Sequence, residues 1–147
     1  MYANGIESYR KANVMTADPK RLVIMCYEGA VDSLKLAKER LRQEDYAGKG
    51  EALMKAHDII AELLCSLDYE RGGGIARNLD SLYQYMMRRI THADLHKDAD
   101  VIDEVIGLLN TLLSAWKEIF YKGVEGSLNE PPETAVEKRQ AVSYAGA

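Results

Sequence analysis

Between residues 19 and 121 the apolar positions recur every three or four residues in four successive sets, separated by short polar breaks. The first set is Leu22, Val23, Cys26, Tyr27, Ala30, Leu34, Ala37 and Leu41. Such steps keep side chains on one helical face, so the set predicts an amphipathic helix beginning at Pro19. Asp18 can cap the free backbone N–H groups, and Pro19 suits the first helical position, where its missing N–H is not needed. Lys35, Lys38, Glu39, Arg40 and Arg42 fill much of the other side. Gly29 weakens helix propensity inside this stripe, which suggests close approach of another backbone.

The second set is Leu53, Ala56, Ile59, Ile60, Leu63, Leu64 and Leu67, and predicts a helix over residues 46–67 with Asp45 as its cap. Gly72, Gly73 and Gly74 then interrupt the pattern, since successive glycines cost backbone entropy and readily take positive φ. It restarts at Ile75 and continues through Leu79, Leu82, Tyr83 and Met86, predicting a third helix over residues 75–95. The fourth set runs from Val101 to Phe120 and predicts a helix over residues 99–121. Its stripe is wide, so this helix is expected to be central or partly covered by something else.

The links at residues 43–45 and 96–98 are short, which makes the helices they join antiparallel neighbours. At 1.5 Å per residue the four helices each span about 30–36 Å, so their lengths match. The fold class expected is all-α: an antiparallel up-down-up-down four-helix bundle with a short N-terminal arm. Residues 1–18 form the expected arm, with Ile6, Tyr9 and Val14 as the groups that can dock it. Residues 19–122 form the bundle. Residues 123–147, with Pro131, Pro132 and three glycines, read as a flexible tail.

Composition narrows the function. The 147 residues carry a net charge of −4, which gives no footing for nucleic acid. No apolar run reaches the length of a membrane span, so no membrane insertion is expected. The first residues do not read as a signal peptide, and there are only two cysteines, so the cytoplasm is the expected compartment. Nine tyrosines against one phenylalanine favour half-exposed surfaces and interfaces, because tyrosine joins an apolar body to a polar tip.

Candidate chemistry is sparse. His92 and His96 stand four apart on the third helix, which is ligand spacing. A di-metal bundle needs Glu-x-x-His on two helices. Here Met54, Arg89 and Ala93 precede His57, His92 and His96 by three. The pair therefore reads as a solvated helix end, and no metal is expected. Cys26 and Cys65 fall on apolar stripes and read as buried thiols acting as small hydrophobes. The Gly72–Gly74 run follows a helix and lacks a Lys-Ser/Thr end, so it is not a phosphate loop. No enzyme activity and no cofactor are expected.

Several blocks resemble one family. Tyr9, Val14, Thr16-Ala17, Pro19, Leu22 and Tyr27-Glu28-Gly29-Ala30 resemble the opening of the flagellar secretion chaperones (FliS). Ser66-Leu67-Asp68, Gly72-Gly73, Ile75-Ala76, Asn78-Leu79, Leu82-Tyr83 and Tyr85-Met86 resemble that family's second block, and Asp103-Glu104-Val105 with Leu112 and Trp116 its fourth helix. The resemblance implies a cytoplasmic export chaperone. Its client would be flagellin, held through a C-terminal segment that is disordered in the free monomer. Covering that segment prevents premature polymerisation and keeps the client competent for secretion. Other flagellar export components are further partners the resemblance allows. The alternative is a helical scaffold that uses its apolar faces on itself.

If the helices pair about residues 44 and 97, Leu22 to Tyr27, Leu63 to Leu67, Ile75 to Tyr83 and Leu112 to Ile119 share one end of the bundle. A bundle core admits only part of each helix circumference, so some of this bulk is expected to face a groove. The candidate client-binding residues are Tyr9, Val14, Leu22, Tyr27, Leu67, Asn78, Leu79, Leu82, Tyr83 and Met86. Leu79 and Leu82 read first as plain core. Tyr83 and Asn78 are the positions that discriminate between core and groove.

Overall fold

Each of the four described α-helices starts behind an aspartate. The structure, a computed structural model, describes residues 18–122; the arm and tail expected at either side lie outside the described residues. Helices α1 (Pro19–Arg42), α2 (Tyr46–Cys65), α3 (Tyr69–His96) and α4 (Ala99–Lys117) follow one another, and a wider π-type turn, Glu118–Lys122, extends α4. Asp18 accepts from the Arg21 amide, Asp45 from Gly48, Asp68 from Arg71, and Asp98 from Asp100 and Val101. Each such cap contributes about 1 kcal/mol by satisfying an otherwise unpartnered N–H.

The four helices form a closed ring in which each packs on the next and α4 returns to α1. Two ion pairs mark the α1–α4 register. Lys38 meets Asp103 at 2.6 Å and Lys117 meets Glu28 at 3.6 Å, so the start of α4 lies beside the end of α1, and the reverse. Both pairs are exposed, so they mark register more than they stabilise. The core runs the length of the bundle. Tyr27, Leu34, Leu53, Ile59, Ile60, Tyr83, Met86, Ile102, Val105 and Leu109 are fully buried in it. This is the antiparallel four-helix bundle expected from the four stripes.

Four local features differ from expectation. The glycine run does break the helical backbone, at Gly73, but a capped helical turn over residues 69–72 comes before the break, where the third helix was expected to begin only at Ile75. Asp68 caps α3 six residues before Gly74, and the Tyr69 hydroxyl donates to Asp80, which ties the first turn to the rest of the helix. The irregularity shrinks to a kink at Gly73, whose φ of 53° and ψ of −126° need glycine for their conformation; a Cβ there would meet nothing within 4 Å. Helix α2 stops at Cys65 rather than at Leu67, where the Ser66 hydroxyl donates to the Leu63 carbonyl at 2.8 Å. Helix α4 widens after Lys117, and this turn carries Phe120 inward to stack on Trp116 with ring centroids 5.5 Å apart. Finally, Cys26 is buried but Cys65 is exposed. Five residues after Ile60, Cys65 lies roughly 140° round the helix from the stripe.

Candidate functional site

The α3–α4 seam carries a run of half-covered apolar surface. Its register is set by Glu104 on α4. Glu104 accepts from the Tyr85 hydroxyl and from Arg89 Nε, the latter at 2.9 Å, so it faces α3. Leu108, Leu112 and Ile119 follow Glu104 at steps of four, four and seven, and therefore run along the same edge. On α3, Leu82, Asn78 and Ile75 precede Tyr85 at helical steps and line the opposite edge. Leu82, Leu108, Leu112 and Ile119 are partly buried against the core, Ile75 is 47% exposed, and Asn78 is exposed. From Leu108 to Ile119 the strip is about 16 Å long at 1.5 Å per residue.

One end of the strip is polar. Tyr85, Glu104 and Arg89 form a hydrogen-bonded cluster across the seam. The Tyr85 hydroxyl and then Arg89 hold the Glu104 carboxyl below its usual range. The same hydrogen bond pushes the Tyr85 phenol up, because losing its proton would remove the donor that Glu104 uses. The arrangement is an apolar strip with a fixed polar stop. It suits a segment that lays an apolar face along the seam and ends against charge.

The expected client-binding residues divide sharply on this structure. Tyr27, Tyr83 and Met86 are wholly buried, and Leu67 and Leu79 nearly so. Leu79 is thus the core residue it first reads as, and the other four belong to the core rather than to the surface expected of them. The reason is a pairing across the bundle: the Tyr27 and Tyr83 hydroxyls meet at 2.5 Å, and each ring thereby buries its polar tip with a partner. Burial pushes the Tyr27 phenol up to about 12, the Tyr83 hydrogen bond offsetting part of that. Burial likewise raises Tyr83 well above the ordinary tyrosine value. Asn78 and Leu82 lie on the seam. Leu22 is half-buried near the start of α1. Tyr9 and Val14 lie outside the described residues.

Sequence reasoning missed the polar stop. The wide stripe of α4 was the available signal for the strip, since its excess width is the row containing Leu108, Leu112 and Ile119. Nothing local pointed to Tyr85 and Arg89 converging on Glu104 from another helix.

A sequence profile described as flagellar protein FliS matches residues 2–123. The chain belongs to the FliS family of flagellar secretion chaperones. The flagellar secretion chaperone FliS of Salmonella typhimurium is 46% identical over 122 residues, covering 80% of this chain and 90% of that protein. That of Vibrio cholerae is 38% identical over 118 residues, covering 78% and 87%. That of Bacillus subtilis is 32% identical over 115 residues, covering 78% and 85%. The FliS match takes in all four helices and both edges of the seam. No described helix of this FliS-family chain is long and apolar enough to cross a membrane.

Proposed function

We propose that this chain is a cytoplasmic export chaperone that binds the C-terminal segment of flagellin, prevents its premature polymerisation and keeps it competent for secretion. It works by covering surface, with no bond made or broken and no cofactor. Other flagellar export components join as further partners of the loaded complex. The observation that carries this reading is the half-covered apolar strip on the α3–α4 seam of a secretion-chaperone bundle. Leu82, Leu108, Leu112 and Ile119 give the client an apolar floor. Asn78 offers an exposed amide to client backbone that is not helical. The buried Tyr27–Tyr83 pair acts on binding only indirectly, by holding α1 and α3 in register beneath the strip. Tyr9 and Val14, with Leu22, are proposed to meet the client where the arm joins the body.

A client segment that folds on binding gives up about 1–2 kcal/mol of backbone entropy per residue fixed, so a broad apolar contact must offset it. Calorimetry with full-length flagellin is expected to show one-to-one binding and a strongly negative heat-capacity change. Leu112→Asp should abolish most of that binding while leaving the helical signal of the free protein in place. Flagellin lacking its C-terminal segment should not bind. Equal binding of that truncated flagellin would overturn the reading, and self-association blocked by Leu112→Asp would favour the scaffold instead.

A further inference from the structure

Helix α3 ends in a pair of histidines that the chaperone reading does not use. Spacing alone fits a solvated helix end; the structure adds that the His92 and His96 rings approach to 4.4 Å between centroids, tilted by 40°. His92 is partly exposed and His96 exposed, so both rings are reachable from water. We propose that His92 and His96 form a two-ligand chelate for an imidazole-preferring divalent cation of the first transition row. Ring nitrogens one helical turn apart on one face can share a cation, and imidazole suits Ni2+, Cu2+ and Zn2+.

The charges around the pair permit this. Arg89, one turn before, is committed to Glu104 at 2.9 Å. The Lys97 ammonium lies over the Tyr46 ring, 4.0 Å from its centroid. Arg88 is exposed and opposes the cation from solvent, where screening weakens it. Among the described residues no group of three or more His, Cys, Asp or Glu gathers as a metal site. The clamp therefore supplies two ligands and water the rest, which makes it weaker than a four-ligand structural site. Among divalent ions Cu2+ should bind most tightly, with Ni2+ and Zn2+ below it. The bound ion would pin the last turn of α3, next to Lys97, whose φ of 53° turns the chain towards α4.

The test is a calorimetric titration of the full, untagged chain with NiCl2. One saturable site is expected, weakened roughly tenfold or more by His92→Ala and by His96→Ala, and left unchanged by His57→Asn. Paramagnetic resonance of the Cu2+-loaded protein should show coupling to two imidazole nitrogens, reduced to one in either alanine variant. Amide exchange at residues 93–97 should slow on loading. Absence of saturable Ni2+ binding would overturn the proposal. So would binding retained in full by the His92→Ala/His96→Ala protein, or binding removed by His57→Asn. None of these outcomes depends on flagellin.

Discussion

Tyr83→Phe separates a core role from an interface role at one atom. The variant keeps the ring and removes only the hydroxyl that meets Tyr27. In the buried site that leaves the Tyr27 hydroxyl without this partner, a loss of about 1–3 kcal/mol. Tyr27→Phe should cost a similar amount for the same reason. The double variant should cost far less than the two single losses added, because both polar groups leave together and their rings stay. Denaturant unfolding followed by helical signal reads all four proteins. The pH dependence gives a second handle. The folded Tyr27 phenol sits at about 12, above the unfolded value near 10. Its contribution is therefore complete below pH 10 and is lost as the pH rises through 12, by about 3 kcal/mol. Tyr83 shifts in the same direction and adds to the loss. The double phenylalanine protein should hold more of its stability across that window. If Tyr83→Phe left stability untouched but weakened flagellin binding, the hydroxyl would be facing the client and the core assignment would be wrong.

Lys49 is buried and donates to the Asp94 carboxylate at 2.5 Å and to the Asp94 carbonyl at 3.0 Å. Asp94→Ala should lower stability by about 1–3 kcal/mol, because an ammonium stays behind with half its partners, whereas Lys49→Met should be nearly neutral; equal losses in urea unfolding would argue against this. A thiol reagent should modify Cys65 in the native protein and Cys26 only on unfolding, as peptide mapping would reveal; equal labelling rates would contradict the placement of Cys26. Deleting residues 1–17 should increase the fluorescence of an apolar-surface dye if Ile6, Tyr9 and Val14 cover the body. An unchanged signal would make the arm a bystander.

The bundle was legible because its burial is periodic. Four stripes and two aspartate caps gave four helices in the right order, and short links gave their directions. What failed depended on contacts between distant residues. The break at Gly73 was legible in the glycine run, but the helical turn before it, which Asp68 caps and the Tyr69–Asp80 contact ties to the rest of α3, was not. The burial of Lys49 likewise depends on Asp94, 45 residues later, which receives its ammonium. Tyr83 is ambiguous for the same reason. A tyrosine on a stripe fits an interface or a core equally, and only Tyr27, 56 residues earlier, decides. The strip was half legible: the extra width of the α4 stripe foretold exposed apolar surface, but not which neighbour would share it.

The ring closure between α1 and α4 has a consequence for synthesis. Helices α1, α2 and α3 can pack in sequence as each is made, because α1 contacts α2 and α2 contacts α3, but α1 and α3 each also pack on α4. The wall that α4 supplies comes last. Until it leaves the ribosome, Tyr27 lacks the Trp116 ring that stands 6.5 Å from its own, and Lys38 lacks Asp103. A nascent chain stalled before residue 99 would therefore expose its inner face as a three-helix trough. A chain proposed to shield another chain's apolar segment would itself need shielding for the time it takes to translate its fourth described helix.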